Sequence, residues 1–282
     1  MDVVRAKTAG FCMGVSLALR KLDEALKDGS EEGRICTLGP IIHNPQVLAS
    51  YEAKGVVCVT DTGQLEPGDI ALVRAHGLTR KEEAKARDAC RGIIDATCPR
   101  VKKAQLAIAE ATRDGQILLL FGEANHPEIR GLVSYAQSHS CVFDREENID
   151  HIPLNRQNAY VLASQTTQDR ECFERIERSL RDRLESLVVL STICDATRSR
   201  QKEARDIAAK VDIMVVVGGR QSGNTRRLAD IASSCGITTL LVEHPDELDP
   251  AAFEGKRRAG LTAGASTPKD LIDEAHRRIL SL

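Results

Sequence analysis

Three times the chain writes a short apolar strand, a thiol and the start of a helix. Gly92-Ile-Ile-Asp-Ala-Thr-Cys98-Pro99 is one copy, with a strand over Gly92–Ala96 running into Cys98. Pro99 suits a first helical turn, because its missing N–H would have no partner there anyway. Val188-Val-Leu-Ser-Thr-Ile-Cys194, before a helix over Ala196–Ala209, is another copy. Asp2-Val-Val-Arg5 to Gly10-Phe11-Cys12, before a helix over Val15–Leu26, is the third. Each thiol is therefore expected at the carboxyl end of a strand and beside a helix N-terminus. Open α/β sheets place ligands there, and a thiolate is stabilised there.

The segments between the thiols repeat as well. A strand ends in glycine, and a polar side chain follows four positions later: Gly39 and His43, Gly122 and His126, Gly218 and Ser222. Each loop opens a helix, over Gln46–Lys54, Glu128–Gln137 and Thr225–Ser234, and each helix leads to a short strand. A second polar loop follows a third strand, carrying His76 in one copy, Gln165-Thr166-Thr167 in the next and Ser266 in the last. The first two copies close with the strand that carries the next cysteine, whereas the third runs out of chain. The strand before Cys12 is the missing piece. The thiols are 86 and 96 residues apart, from Cys12 to Cys98 and from Cys98 to Cys194, a period that suits a small α/β domain and is too long for a solenoid unit. Alternating strands and helices imply parallel sheets with right-handed crossovers. The expected fold is α/β: three pseudo-repeated domains over residues 1–97, 98–193 and 194–282, each with a parallel sheet, set around a centre to which the thiols point. The N-terminal strand closes the set with the third domain.

Composition decides what the thiols are for. There are nine cysteines, an odd number, and Met1-Asp2-Val-Val-Arg5 has an acid where an export signal carries positive charge. A disulfide framework is not expected, and a cytoplasmic protein using thiolates for a metal is. A net charge of −2 gives no general field for nucleic acid or a membrane surface, and the absence of Trp leaves few platforms for base stacking. No apolar run reaches membrane-spanning length.

Cys12, Cys98 and Cys194, at equivalent repeat positions, form a three-thiolate set, which suits zinc or iron–sulfur. A structural zinc site would show a fourth ligand and paired C-x-x-C spacing, so a cluster with an open position fits better. Cys36, Cys58, Cys90, Cys141, Cys172 and Cys235 lack the equivalence and read as fillers within strands and helices. His43, His76, His126, Thr166, Ser222, Asn224 and Ser266 all precede helices, where free N–H groups and the dipole favour an anion such as a phosphate or diphosphate. The G-x-x-x-x-G-K pattern of a nucleotide loop is absent. Helix capping alone accounts for Ser222, Asn224 and Ser266 in any protein, but not for three histidines at matching places. Glu128, on the first turn after His126-Pro127, serves the helix dipole or, in a dry pocket, donates a proton.

These motifs together resemble the 4-hydroxy-3-methylbut-2-enyl diphosphate reductase family, the iron–sulfur enzymes of the non-mevalonate isoprenoid pathway. The resemblance runs from Gly10-Phe-Cys12-Met-Gly-Val to Thr262-Ala-Gly-Ala-Ser266. It passes through His43-Asn, Ala75-His76-Gly, Asp95-Ala-Thr-Cys98-Pro, His126-Pro-Glu128, Ser164-Gln-Thr-Thr167, Cys194-Asp-Ala-Thr and Ser222-Gly-Asn224. It implies a three-lobed fold around a [4Fe–4S] cluster held by Cys12, Cys98 and Cys194, with the substrate alcohol reaching the fourth iron. It implies diphosphate binding through His43, His76, His126, Ser222, Gly223, Asn224 and Ser266, with Glu128 and Thr166 near the alcohol. The implied reaction is reductive dehydroxylation to isopentenyl and dimethylallyl diphosphate, fed by an electron-donor protein of the ferredoxin or flavodoxin type. Many members carry Ser-Ser-Asn where this chain has Ser222-Gly223-Asn224, so one side-chain hydroxyl is lost while Gly223 still offers its backbone N–H.

Two other classes stay open at this point. A non-redox [4Fe–4S] dehydratase or synthase of the quinolinate-synthase type would need no electron donor. An iron–sulfur sensor would not need His43, His76, His126 and Glu128 together in one pocket. A radical enzyme using S-adenosylmethionine would carry C-x-x-x-C-x-x-C, which does not occur.

Overall fold

The computed structural model describes residues 1–28 and 33–282. It contains three four-stranded sheets, all parallel, and each has the same strand order. One sheet contains β2 (Ile35–Leu38), β3 (Val57–Val59), β4 (Ile70–Val73) and β5 (Gly92–Asp95), in the order β3-β2-β4-β5. A second contains β6 (Ile117–Phe121), β7 (Ser140–Phe143), β8 (Ala159–Ser164) and β9 (Ser186–Val189), in the order β7-β6-β8-β9. The third contains β10 (Ile213–Val217), β11 (Thr238–Val242) and β12 (Arg258–Ala263), and its fourth strand is β1 (Asp2–Arg5) from the other end of the chain. β1 lies parallel to β12, with Asp2 opposite Arg258 and Arg5 opposite Leu261, in the place that β5 and β9 take beside β4 and β8.

Helices cover both faces of these sheets, so the strands read as continuous apolar runs rather than alternating ones. In β10, Ile213, Val215 and Val217 pack with Ile272, Ala275 and Ile279 of α9 (Lys269–Leu280). Met214 and Val216 face the other way, onto Ala204 and Ile207 of α7 (Asp195–Ala208) and Leu228 and Ala232 of α8 (Gly223–Ser234). In β6, Leu119 and Phe121 meet Phe173, Ile176 and Leu180 of α6 (Arg170–Arg183). Leu118 and Leu120 meet Ala104 and Ile108 of α4 (Pro99–Ala111) and Ile129 and Leu132 of α5 (Pro127–Tyr135). The remaining helices are α1 (Met13–Asp28), α2 (Pro45–Glu52) and α3 (Arg80–Ala89). Among the described residues no helix is long and apolar enough to cross a membrane.

The chain divides into two compact units. Unit 1 comprises residues 1–16, 42–53 and 195–282, with the β10–β12 and β1 sheet; unit 2 comprises 17–41 and 54–194, with the other two sheets. The main departure from the sequence reading is where the thiol-bearing strands stop. β5, β9 and β1 end at Asp95, Val189 and Arg5, several residues short of Cys98, Cys194 and Cys12. The intervening residues leave the ladder because their backbone groups find partners in the loop after the neighbouring strand, described next.

Candidate active site

A shared scaffold of backbone bonds carries the site residues. The glycine closing the first strand of each sheet donates its N–H to the last residue of the adjacent strand: Gly39 to Val59, Gly122 to Phe143 and Gly218 to Val242, each at 2.8 Å. After the third strand a tight turn follows, with Gly77 N–H on Arg74 O at 2.9 Å, Gln168 on Gln165 at 3.1 Å and Thr267 on Gly264 at 3.2 Å. The middle of each turn receives the thiol segment. Cys98 N–H bonds Ala75 O at 3.0 Å, Cys194 N–H bonds Thr166 O at 3.0 Å, and Cys12 N–H bonds Ala265 O at 3.2 Å. The three cysteines are thus equivalent in backbone environment, and all three are half-buried and outside any disulfide. By the same turns, the position of His76 and Ser266 is taken in the second copy by Thr167. Thr166 aligns with Ala75 and Ala265.

In unit 2, Glu128 lies on the first turn of α5 and is only 2% exposed. Thr166 grips both of its oxygens: the backbone N–H donates to Oε1 at 2.6 Å and the hydroxyl to Oε2 at 3.0 Å. Thr166 therefore ties the carboxyl on one side and Cys194 on the other. His126 caps α5, its Nδ1 accepting the Glu128 N–H at 3.1 Å, which leaves the proton of the neutral ring on Nε2 as a donor. The His76 ring stands edge-on to His126, with centroids 5.3 Å apart. The segment before Cys98 is braced by Asp95, whose Oδ1 accepts the Thr97 N–H at 2.9 Å. Ser164 N–H on Thr192 Oγ1 at 2.8 Å does the same before Cys194.

In unit 1, Ser222 caps α8, but its Oγ accepts the Thr225 N–H at 3.4 Å, a weak cap. Gly223 and Asn224 form the first turn, and both are buried. The Nδ2 of Asn224 is buried with no hydrogen-bond partner among the described residues. A buried donor left unpaired is costly, so it points to an acceptor that a ligand brings. The Ser266 hydroxyl donates to His43 O at 3.0 Å, fixing the loop that carries His43. Gly219 makes this closeness possible, since a Cβ there would meet His43 O at 2.5 Å. His43 differs from its counterparts: Asn44 caps α2, so His43 stands one residue before the cap, whereas His126 and Ser222 are themselves caps.

Several supporting residues carry no sequence signal. Arg200 is 4% exposed and donates from Nη1 to Gly10 O at 3.0 Å and Ala263 O at 2.9 Å, holding the Cys12 loop to the end of β12. Glu203, one turn on, accepts the N–H groups of Lys7 and Thr8, each at 2.8 Å, and the Thr8 hydroxyl at 2.6 Å. Gln165, fully buried, donates to Thr167 Oγ1 at 3.1 Å. Of the six other thiols, Cys36, Cys58, Cys141 and Cys172 lie within strands or helices as expected. Cys90 and Cys235 instead follow the last residues of α3 and α8.

Three comparisons bear on this site. The family model described as LytB protein matches residues 3–280. A protein of Desulfovibrio desulfuricans named 4-hydroxy-3-methylbut-2-enyl diphosphate reductase is 60% identical, with both chains covered in full. One of the same name from Geobacter metallireducens is 40% identical over 99% of this chain and 97% of its own. A solved structure of (E)-4-hydroxy-3-methyl-but-2-enyl diphosphate reductase, described as the terminal enzyme of the non-mevalonate pathway, is 36% identical and aligns with a TM-score of 0.70 over 100% of this chain and 99% of that one. The reductase of Plasmodium falciparum aligns with a TM-score of 0.93 at 24% identity, over 100% of this chain and 88% of that one, a likeness of fold.

Proposed function

The chain belongs to the LytB family, whose matched relatives are 4-hydroxy-3-methylbut-2-enyl diphosphate reductases, and from that premise we propose how its residues carry out the reaction. It is an oxidoreductase of the non-mevalonate isoprenoid pathway. The substrate takes up two electrons and two protons, loses its hydroxyl as water, and gives isopentenyl or dimethylallyl diphosphate. No dehydratase reading accounts for the electrons, and no sensor reading accounts for a buried acid tied to a thiol segment.

Cys12, Cys98 and Cys194 are assigned to a [4Fe–4S] cluster. The donor set fits: three thiols outside any disulfide, in equivalent backbone settings, with no fourth cysteine sharing that setting among the described residues. When bound, the cluster supplies single electrons and a Lewis-acidic iron. His43, His76, His126, Ser222, Gly223, Asn224 and Ser266 bind the diphosphate, the imidazole and amide N–H groups and the α8 N-terminus meeting its charge. Glu128 is the proton donor and Thr166 its relay, because a general acid must lie within hydrogen-bond reach of what it protonates. The observation that carries this reading is the pair of hydrogen bonds from Thr166 to Glu128 while its carbonyl holds Cys194. The protein works in the cytoplasm with an electron donor of the ferredoxin or flavodoxin type, as the reading of the chain implies.

The test is anaerobic purification, Mössbauer spectroscopy and turnover with a chemical reductant. Cys98→Ser is expected to abolish the [4Fe–4S] signal and activity, and Cys58→Ser, at an exposed thiol, to change neither. Full cluster content in Cys98→Ser protein sinks the assignment.

A further inference from the structure

We propose that the groove between α1 and α4 is the docking site for an acidic one-electron carrier protein, which delivers its electrons beside Cys98. This rests on the reductase reading above and adds where the electrons enter. The groove, about 720 Å³, is lined by Leu17 and Lys21 of α1, by Thr97, and by Pro99, Lys102, Lys103 and Leu106 of α4 among its wall residues. Thr97 and Pro99 are the chain neighbours of Cys98, so its wall comes within about one residue, roughly 3.8 Å between Cα atoms, of that thiol's own backbone.

Its chemistry is specific. Three of the lining residues are lysines and none is acidic, although the whole chain carries a net charge of −2; Asp95 lies 3.7 Å from Lys102 and takes Lys21 on its carbonyl at 2.5 Å, which leaves Lys103 with no such contact to Asp95. The positive charge is therefore a local feature, which orients an acidic partner here rather than attracting it everywhere. The apolar part is small and outward: Leu106 is 58% exposed, over a floor of Leu17 and Ala107. One exposed leucine ringed by lysines suits a small, transient contact, as electron carriers make. A second basic hollow, lined by Arg5, Lys7, Phe11 and Lys269, flanks Cys12. There, however, Asp273 draws on two of the cations, Arg5 at 2.6 Å and Lys269 at 3.8 Å. Charge alone therefore does not rank the two hollows, and the exposed Leu106 beside the lysines favours the groove at Cys98.

Each turnover consumes two electrons, so two reduced carriers dock and leave oxidised, and the protons come from the enzyme and solvent. The test uses the cluster-loaded enzyme with a strongly acidic reduced ferredoxin as probe and with methyl viologen radical as a donor that needs no docking. Lys103→Glu and Leu106→Glu, both at exposed positions, are expected to raise the KM for ferredoxin at least about tenfold while viologen-driven turnover stays within about twofold. Carbodiimide cross-linking of Lys102 or Lys103 to ferredoxin carboxylates, mapped by mass spectrometry, reads the contact without turnover. Unchanged ferredoxin kinetics in both variants overturn the site. So does a selective loss with Lys7→Glu in their place, which moves the entry point to Cys12, or cross-links between two copies of this chain only. A wild-type enzyme inactive with either donor refutes the reductase reading instead, and the cross-links then still decide the docking surface.

Discussion

The second and third copies of the repeat share their backbone bonds and differ in what hangs on them. Gly122 and Gly218 close their first strands alike, and the turns at Gln165–Gln168 and Gly264–Thr267 match. On the second copy the scaffold bears ionisable chemistry: His126 at the cap, Glu128 behind it, and a Thr166 hydroxyl between acid and thiol segment. On the third it bears neutral donors: Ser222 at the cap, Asn224 behind it, and Ala265 where Thr166 would be. A repeated frame thus divides labour. On the proposed reading one copy moves protons, and the other holds the diphosphate with neutral donors.

The sharpest way to break that division is Glu128→Gln. As a mere first-turn residue Glu128 would serve only the dipole, and its loss would cost under about 1 kcal/mol of stability with chemistry intact. Changing the acid to Gln is expected to lose at least about 100-fold in kcat, because the amide can still meet Thr166, its oxygen accepting the N–H and its NH2 donating to the hydroxyl, but has no acidic proton. Cluster content and KM stay near wild type. Steady-state reduction with a chemical donor decides, and wild-type kcat would falsify the proton-donor role.

Asn224→Ala sharpens the other side. Removing one donor to a charged group costs about 1.5–3 kcal/mol, so KM should rise about tenfold or more with kcat little changed. Because Nδ2 has no partner among the described residues, the variant's thermal stability should match wild type. A fall in melting temperature with unchanged KM would make Asn224 structural.

How far this division was legible in the chain depends on range. The repeat was readable because a glycine and a polar residue four positions on are local facts, and the apolar runs of β6 and β10 announce strands covered on both faces. The register inside the loops was less so. Counting four from Gly39 reaches His43, yet the helix there is capped one residue later by Asn44, since Pro45 takes the first helical position. The choice between Thr166 and Thr167 could not be made by counting either. In space it is the Thr166 hydroxyl that reaches a carboxyl 38 positions away, while Thr167 takes the place of His76 and Ser266. Arg200 and Glu203 were invisible, because an arginine and a glutamate one turn apart on a polar helix look like a solvated face. Their partners at the loop before Cys12 lie 190 or more residues away, and the second carbonyl on Arg200, that of Ala263, lies 63 away.

Glu203 gives the smallest expected effect and a test of whether the third copy avoids titration altogether. Burial, the largest single influence, pushes its carboxyl up, but the Thr8 hydroxyl and the N–H groups of Lys7 and Thr8 outweigh it and hold the group below its ordinary value of 4.5. A carboxyl depressed in the folded state stabilises the fold above its ordinary value, and that stabilisation drains away as pH falls through the lower folded value. The wild-type protein, freed of metal so that cluster loss does not intrude, should therefore lose apparent melting temperature as pH drops below about 4.5, with this group contributing. Glu203→Gln keeps one acceptor and loses the charge. It should melt a few degrees lower at neutral pH, on the order of 2–4 °C for each kcal/mol lost, and show a flatter acid limb. The diagnostic is that KM and kcat at neutral pH move little, since Glu203 braces the Lys7–Thr8 loop and touches none of the residues assigned to substrate. A variant whose kcat falls as far as that of Glu128→Gln would show that proton chemistry is not confined to the second copy.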